Sequence, residues 1–112
     1  MTAKDTREIV FFYIPFPNIV TAVRTGKELL RRRLIGCYNI SRVRSAYWWE
    51  GEITTDSEYV VIAKTLPELE EKVREVISSL HPYTVPCIAT FKVSVNESYF
   101  QWLKNEVEST TV

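Results

Sequence analysis

The chain has 112 residues, 46% of them hydrophobic, with 14 basic and 14 acidic side chains in balance. That length supports one real core and not two, so residues 1–112 are read as a single domain. A formal charge of zero argues against binding built on a broad positive field, and no nucleic-acid role is expected. The local exception is Arg31, Arg32, Arg33, Arg42 and Arg44, which read as a solvated helix end and loop rather than a phosphate site. Cys37 and Cys87 are too few for a disulfide scaffold and are expected as reduced, unpaired thiols. No apolar run approaches the ~20 residues that span a bilayer. The polar N-terminus, with charges of both signs, does not look like a leader. A cytoplasmic protein without membrane contact is expected.

In chain order, residues 8–14 are apolar on both faces, β-branched and aromatic, and are closed by Pro15; this predicts a central buried strand. From Ile19 the period changes. Ile19, Ala22, Val23, Gly26, Leu29, Leu30 and Leu34 lie three or four apart, an amphipathic helix with Asn18 as N-cap. Arg31, Arg32 and Arg33 fall in its last turn, where cations offset the helix dipole. Residues 34–40 read as a second strand, followed by a break at Ser41 and Arg42. Residues 43–64 read as a long antiparallel hairpin with its turn at Thr55, Asp56 and Ser57 and a possible bulge at Gly51. It is longer than the other strands can match.

Thr65, Pro67 and Glu68 have the spacing of a capping box at a helix start. Leu69, Val73, Val76, Ile77 and Leu80 form that helix's buried stripe. Residues 80–88 then form a stiff joint. Pro82 and Pro86 fix their own φ and push their predecessors toward extended backbone, around the only histidine, His81. Residues 87–95 read as a strand, and Asn96 caps a last helix carrying Tyr99, Trp102, Leu103 and Val107. The class is α+β. The order β-α-β-β-α-β gives a ferredoxin-like, four-stranded antiparallel sheet with two helices on one face, a long central hairpin and an added C-terminal helix.

These residues carry a resemblance. Tyr47-Trp48-Trp49-Glu50-Gly51, then Ile62-Ala63-Lys64-Thr65, then Leu80-His81-Pro82-Tyr83 is similar to the pattern of the CutA family, the divalent-cation-tolerance proteins. The segment from Arg33 to Asn39, and Asn96 with Tyr99 and Trp102, support it. The resemblance covers roughly residues 9–107. It implies a homotrimer, a ferredoxin-like subunit and a role in copper or divalent-metal tolerance. It also implies metal binding near Cys37 and His81, and an intersubunit cleft lined by Trp49, Lys64, His81 and Tyr83. The chain departs from the family where metal chemistry would sit: Thr84 and Cys87 stand where the family usually has glutamates. The usual Pro-Gly after Asn39 is absent, Phe91-Lys92 replaces Leu-Pro, and no glycine precedes Asn96.

Three groups of residues are candidate sites. Cys37, His81 and Cys87 have the thiolate and imidazole donors that suit copper(I) or zinc, though their spacing matches no metal motif. The plainer alternative is a helix-end histidine bonded to backbone and two buried, inert thiols. Trp49, Glu50, Lys64 and Tyr83 are the candidate ligand cleft. Glu50 and Lys64 either pair with each other or bind an anion, since Lys64 precedes a helix N-terminus. Tyr47, Trp48 and Trp49 are the expected trimer interface. Trp48 and Trp49 point to opposite faces of their strand, one into the core and the other onto a partner, or else form a ligand platform.

No nucleophile–base pair or phosphate loop is present, so no enzyme activity is expected. No cofactor is required, with copper or another soft metal as the possible ligand. The runner-up function is a signalling trimer holding a small anion beside Lys64, by analogy with nitrogen-regulatory PII proteins.

Overall fold

The computed structural model describes residues 5–107. Its elements are β1 (Thr6–Phe16), α1 (Ile19–Arg31), β2 (Cys37–Trp49), β3 (Glu52–Thr65), α2 (Glu70–Leu80), β4 (Ala89–Asn96) and α3 (Glu97–Glu106). A single turn of 3-10 helix, Pro67–Leu69, leads into α2. The four strands form one antiparallel sheet in the order β2-β3-β1-β4.

β1 is central because it is apolar on both faces. Ile9, Val10, Phe12, Ile14 and Phe16 are all fully buried. On the face of Phe12, α1 and α2 cover the sheet, and the Arg74 guanidinium of α2 lies 5.7 Å from the Phe12 ring. On the face of Phe11, the described residues cover only the end near α3. There the Arg7 guanidinium lies 5.8 Å from the Phe100 ring. Gly36 lets this end close: a Cβ there would come within 2.4 Å of Leu103. The rest of the Phe11 face is open and leaves Tyr13 and Phe91 exposed.

Pro15 does not end β1, which runs on to Phe16. Pairing of β1 with β4 stops at Tyr13, so the missing N–H of Pro15 has no β4 partner to lose. The same proline shortens β4. Continuing the register from Tyr13↔Ala89 would set Cys87 opposite Pro15, which has no N–H to donate. Cys87 therefore lies in the connecting loop, and the strand expected from 87 starts at Ala89.

Helix α1 is capped as expected, with the Thr21 N–H donating to Asn18 Oδ1 at 2.8 Å. It ends by a left-handed residue, Arg33 at φ 59°. The N–H groups of Arg33 and Leu34 return to the carbonyls of Leu30 and Leu29. Such a pair of returning bonds satisfies orphan carbonyls at a helix end. The capping box predicted at Thr65 does not form. Thr65 is buried, and its hydroxyl donates to the Leu34 carbonyl at 2.6 Å, tying β3 to the end of α1.

The hairpin differs from expectation at its turn. β2 runs unbroken through Ser41 and Arg42, and Thr55, Asp56 and Ser57 lie within β3. The turn is Glu50-Gly51, with φ 51° and 83°. Two central residues of positive φ twist in the same sense as the strands, which is the favoured two-residue hairpin geometry. β1 pairs with β3 only from Tyr59 onward. Residues 43–58 therefore project beyond the sheet as a two-stranded arm, and the molecule measures 52 × 30 × 20 Å.

Candidate functional site

The site is built where the arm leaves the sheet. The joint of residues 81–88 crosses here beside β1 and the base of the arm. Proline stiffness holds it extended, and His81 fastens it. The Tyr83 N–H donates to His81 Nδ1 at 3.1 Å, and His81 Nε2 lies 2.7 Å from the Pro15 carbonyl. A carbonyl only accepts, so one tautomer satisfies both contacts: Nδ1 bare and Nε2 protonated. The ring also stacks on Phe16 at 4.4 Å. Burial lowers the pKa of His81, against the Pro15 carbonyl and the charge of Glu58, which favour the imidazolium.

Two phenol–carboxylate pairs follow. The Tyr83 hydroxyl donates to Glu58 Oε2 at 2.6 Å, and the Tyr47 hydroxyl donates to Asp56 Oδ2 at 2.9 Å. Asp56 and Glu58 alternate on β3, so both lie on the face of Tyr47. Burial, then the bond to Glu58, pushes the Tyr83 phenol far above its ordinary pKa. The Tyr47 phenol is raised chiefly by its bond to Asp56. Glu58 is only 8% exposed. Around these groups lies an open groove of about 890 Å³, with Tyr47, Trp48, Trp49, Tyr83, Arg44 and Cys87 on its walls.

The candidate metal donors do not converge. Cys37 is opposite Lys64 on the ladder, whereas His81 bonds Pro15, which is opposite Val60, and Cys87 lies in the loop. Among the described residues no group of three His, Cys, Asp or Glu side chains could hold a metal ion. Both ring nitrogens of His81 are in use. The histidine is bonded to backbone, as the plainer alternative expects, but the thiols are not both buried. Cys37 is half-buried and Cys87 exposed, and both are free.

The predicted ligand cleft is divided within this chain. Trp49 and Tyr83 share the groove, while Glu50 is in the turn. Lys64 lies twelve residues along β3 from the partner of Trp49, about 40 Å at strand rise. Glu50 and Lys64 therefore do not pair. Instead Lys64 Nζ lies 3.7 Å from Cys37 Sγ and 5.5 Å from the Phe11 ring centroid. Of the expected interface residues, Trp48 is 72% and Trp49 49% exposed, so neither enters the core of the chain. The arginines are mostly partnered. Arg31 and Arg32 bind Glu28, Arg33 binds Glu106, and Arg42 donates to Ser57.

Sequence reasoning missed Asp56 and Glu58. With the turn placed at Glu50-Gly51, their alternation opposite Tyr47 would have marked them.

The topology and the two-stranded arm define an α+β protein of ferredoxin-like fold with an extended hairpin. The family model of the CutA1 divalent ion tolerance protein matches residues 10–106. The divalent-cation tolerance protein CutA of Thermotoga maritima is 43% identical over 100 residues, covering 88% of this chain and 99% of that protein. A crystal structure of CutA1 from Pyrococcus horikoshii is 43% identical, with a TM-score of 0.86 over 88% of this chain and 98% of that one. The structure of the periplasmic divalent cation tolerance protein CutA from Archaeoglobus fulgidus is 34% identical, with a TM-score of 0.86 over 91% and 100% of the two chains. This chain belongs to the CutA family.

Proposed function

We propose that this protein acts in divalent-metal tolerance as a non-enzymatic homotrimer that binds soft metal ions weakly. The observation that carries the reading is family membership over nearly the whole chain, combined with free thiols at Cys37 and Cys87. With Thr84 and Cys87 in place of the family's usual glutamates, sulfur is the better donor, which favours copper(I) over magnesium or calcium. His81 joins a metal only by releasing Pro15 or Tyr83, and a three-donor site needs a second subunit. Weak affinity follows. Among the described residues no helix is long and apolar enough to cross a membrane. Two unpaired cysteines suit a reducing compartment, so we place the protein in the cytoplasm. The Archaeoglobus relative is described as periplasmic, and cell fractionation decides between the two.

The trimer reading rests on edges. Among the described residues β2 is an edge strand along its full length, and residues 52–58 of β3 have no partner on the side where β1 has ended. Unpaired edges beside exposed aromatic residues invite pairing with another chain. Three copies around a closed axis satisfy every arm at once. In such an assembly Tyr47, Trp48 and Trp49 pack against a neighbour, and a neighbour's Trp49 can approach Lys64.

A second reading has one specific support. Lys64 has no carboxylate ion pair among the described residues, so a small anion in an intersubunit cleft could take that place. A thermal-shift screen separates the two, because a ligand that prefers the folded state raises the midpoint. The metal reading expects a rise with copper(I), none with magnesium, and none with nucleotides. A rise with nucleotides alone favours the anion, and a tight magnesium response overturns the soft-donor argument.

A further inference from the structure

A thiol and a primary amine face each other across β2 and β3. Cys37 and Lys64 are directly opposite in the ladder, and their side chains meet at 3.7 Å. The usual fate of a half-buried lysine is a carboxylate partner, yet Lys64 forms no ion pair among the described residues. It rests instead over the Phe11 ring, which directs the amine toward sulfur. Among the described residues the Tyr99 hydroxyl is buried without a hydrogen-bond partner. Its phenol is held above its ordinary pKa by burial and then by the charge a thiolate at Cys37 would carry. Cys87, the other thiol, is exposed in the groove, in the loop before β4, and cannot serve as the resolving group without rearrangement.

We propose that Cys37 and Lys64 form a reversible covalent cross-link under hydroperoxide, a direct sulfur–nitrogen bond between β2 and β3. Hydrogen peroxide oxidises the Cys37 thiol to a sulfenic acid, releasing one water. The Lys64 nitrogen, 3.7 Å away, then attacks that sulfur with its lone pair and displaces hydroxide. The nitrogen loses one proton, a second water leaves, and a sulfenamide remains. One peroxide is reduced to water and the sulfur is oxidised by two electrons, so the sequence balances. A low-molecular-weight thiol reverses it by attacking sulfur and returning the amine, then reducing the mixed disulfide. The link spares Cys37 from the irreversible sulfinic and sulfonic states. It uses the same Cys37 sulfur that the proposed metal binding needs, so bound metal and the cross-link exclude each other.

The test uses chelator-treated, full-length protein carrying Cys87→Ser, so that Cys37 is the only thiol. After peroxide treatment, intact mass and peptide mapping should find the protein lighter by two hydrogens, with the Cys37 and Lys64 peptides joined. Dithiothreitol should restore the original mass. Adding Lys64→Arg, or Lys64→Gln if the arginine variant is not folded by circular dichroism, should instead carry Cys37 to the two-oxygen sulfinic acid. If the Cys87→Ser protein reaches the sulfinic acid as readily as the Lys64 variants, or keeps a free thiol, the proposal is wrong. A joined pair whose mass retains an added oxygen would likewise overturn the direct sulfur–nitrogen bond.

Discussion

The two halves of the β2–β3 hairpin share one ladder but are held by different forces. The inner half, from Cys37 to Arg42 opposite Tyr59 to Lys64, lies against β1 and under helices. Val61 and Ala63 there are fully buried. The outer half, residues 43–58, pairs only with itself and presents Trp48, Trp49 and Ile53 to solvent. A lone two-stranded ribbon is marginal in water. The inner half therefore belongs to the folding of the subunit, and the outer half makes physical sense as a surface for something else. Both are continuous strand because the same alternation and β-branched residues run through each.

That contrast can be broken from either end. The largest effect is expected in the inner layer. Phe12 is fully buried beside Ala63 and beneath α2, and Phe12→Ala should lower unfolding stability by about 3–5 kcal/mol in urea titration. At the tip, Gly51 holds a φ of 83° that a β-branched residue tolerates badly. Gly51→Val should cost about 1–3 kcal/mol. Its effect on hydrogen exchange should fall on 43–58 and spare the amides of β1. Exchange rising equally in β1 would mean that the arm and sheet are one cooperative unit.

A smaller effect is expected from pH, because the His81 ring is only partly buried. The folded pKa lies below the ordinary 6.5, so the unfolded chain binds the proton more readily. Stability should be fully present above about 6.5, fall as pH drops below it, and level off beneath the lowered folded value. His81→Asn should flatten that stretch of the stability–pH curve. An unchanged slope would separate the ring's protonation from the fastening of the joint. The smallest effect is set at the outer ribbon, where Ile53 is 65% exposed. Ile53→Ala should alter the stability of an isolated subunit by no more than about 0.5 kcal/mol.

The inner half was the more legible from sequence. Period, capping at Asn18 and the apolar run of β1 are local signals, and they agreed with the global fold. The outer half misled because its turn chemistry is unusual. Thr55, Asp56 and Ser57 look like a turn by composition, yet they continue a strand in which Asp56 accepts from Tyr47. The real turn uses Glu50 in a left-handed conformation, for which glutamate gives no signal. Cys87 was misplaced because the effect of Pro15 on β4 is non-local and depends on register. The candidate donors were legible as residue types. That Pro15 and Tyr83 occupy both nitrogens of His81 depends on a tertiary contact that no spacing in the sequence encodes.

The claim that the outer arm joins three subunits is tested most directly by sedimentation equilibrium of the wild type beside the double variant Tyr47→Lys, Trp49→Lys. The wild type should sediment at three times the 13.1 kDa subunit mass. The variant should fall to the subunit mass while keeping its circular dichroism, since neither side chain is part of the buried core. A variant that still sediments as a trimer of wild-type stability would contradict the account and move the interface away from the arm.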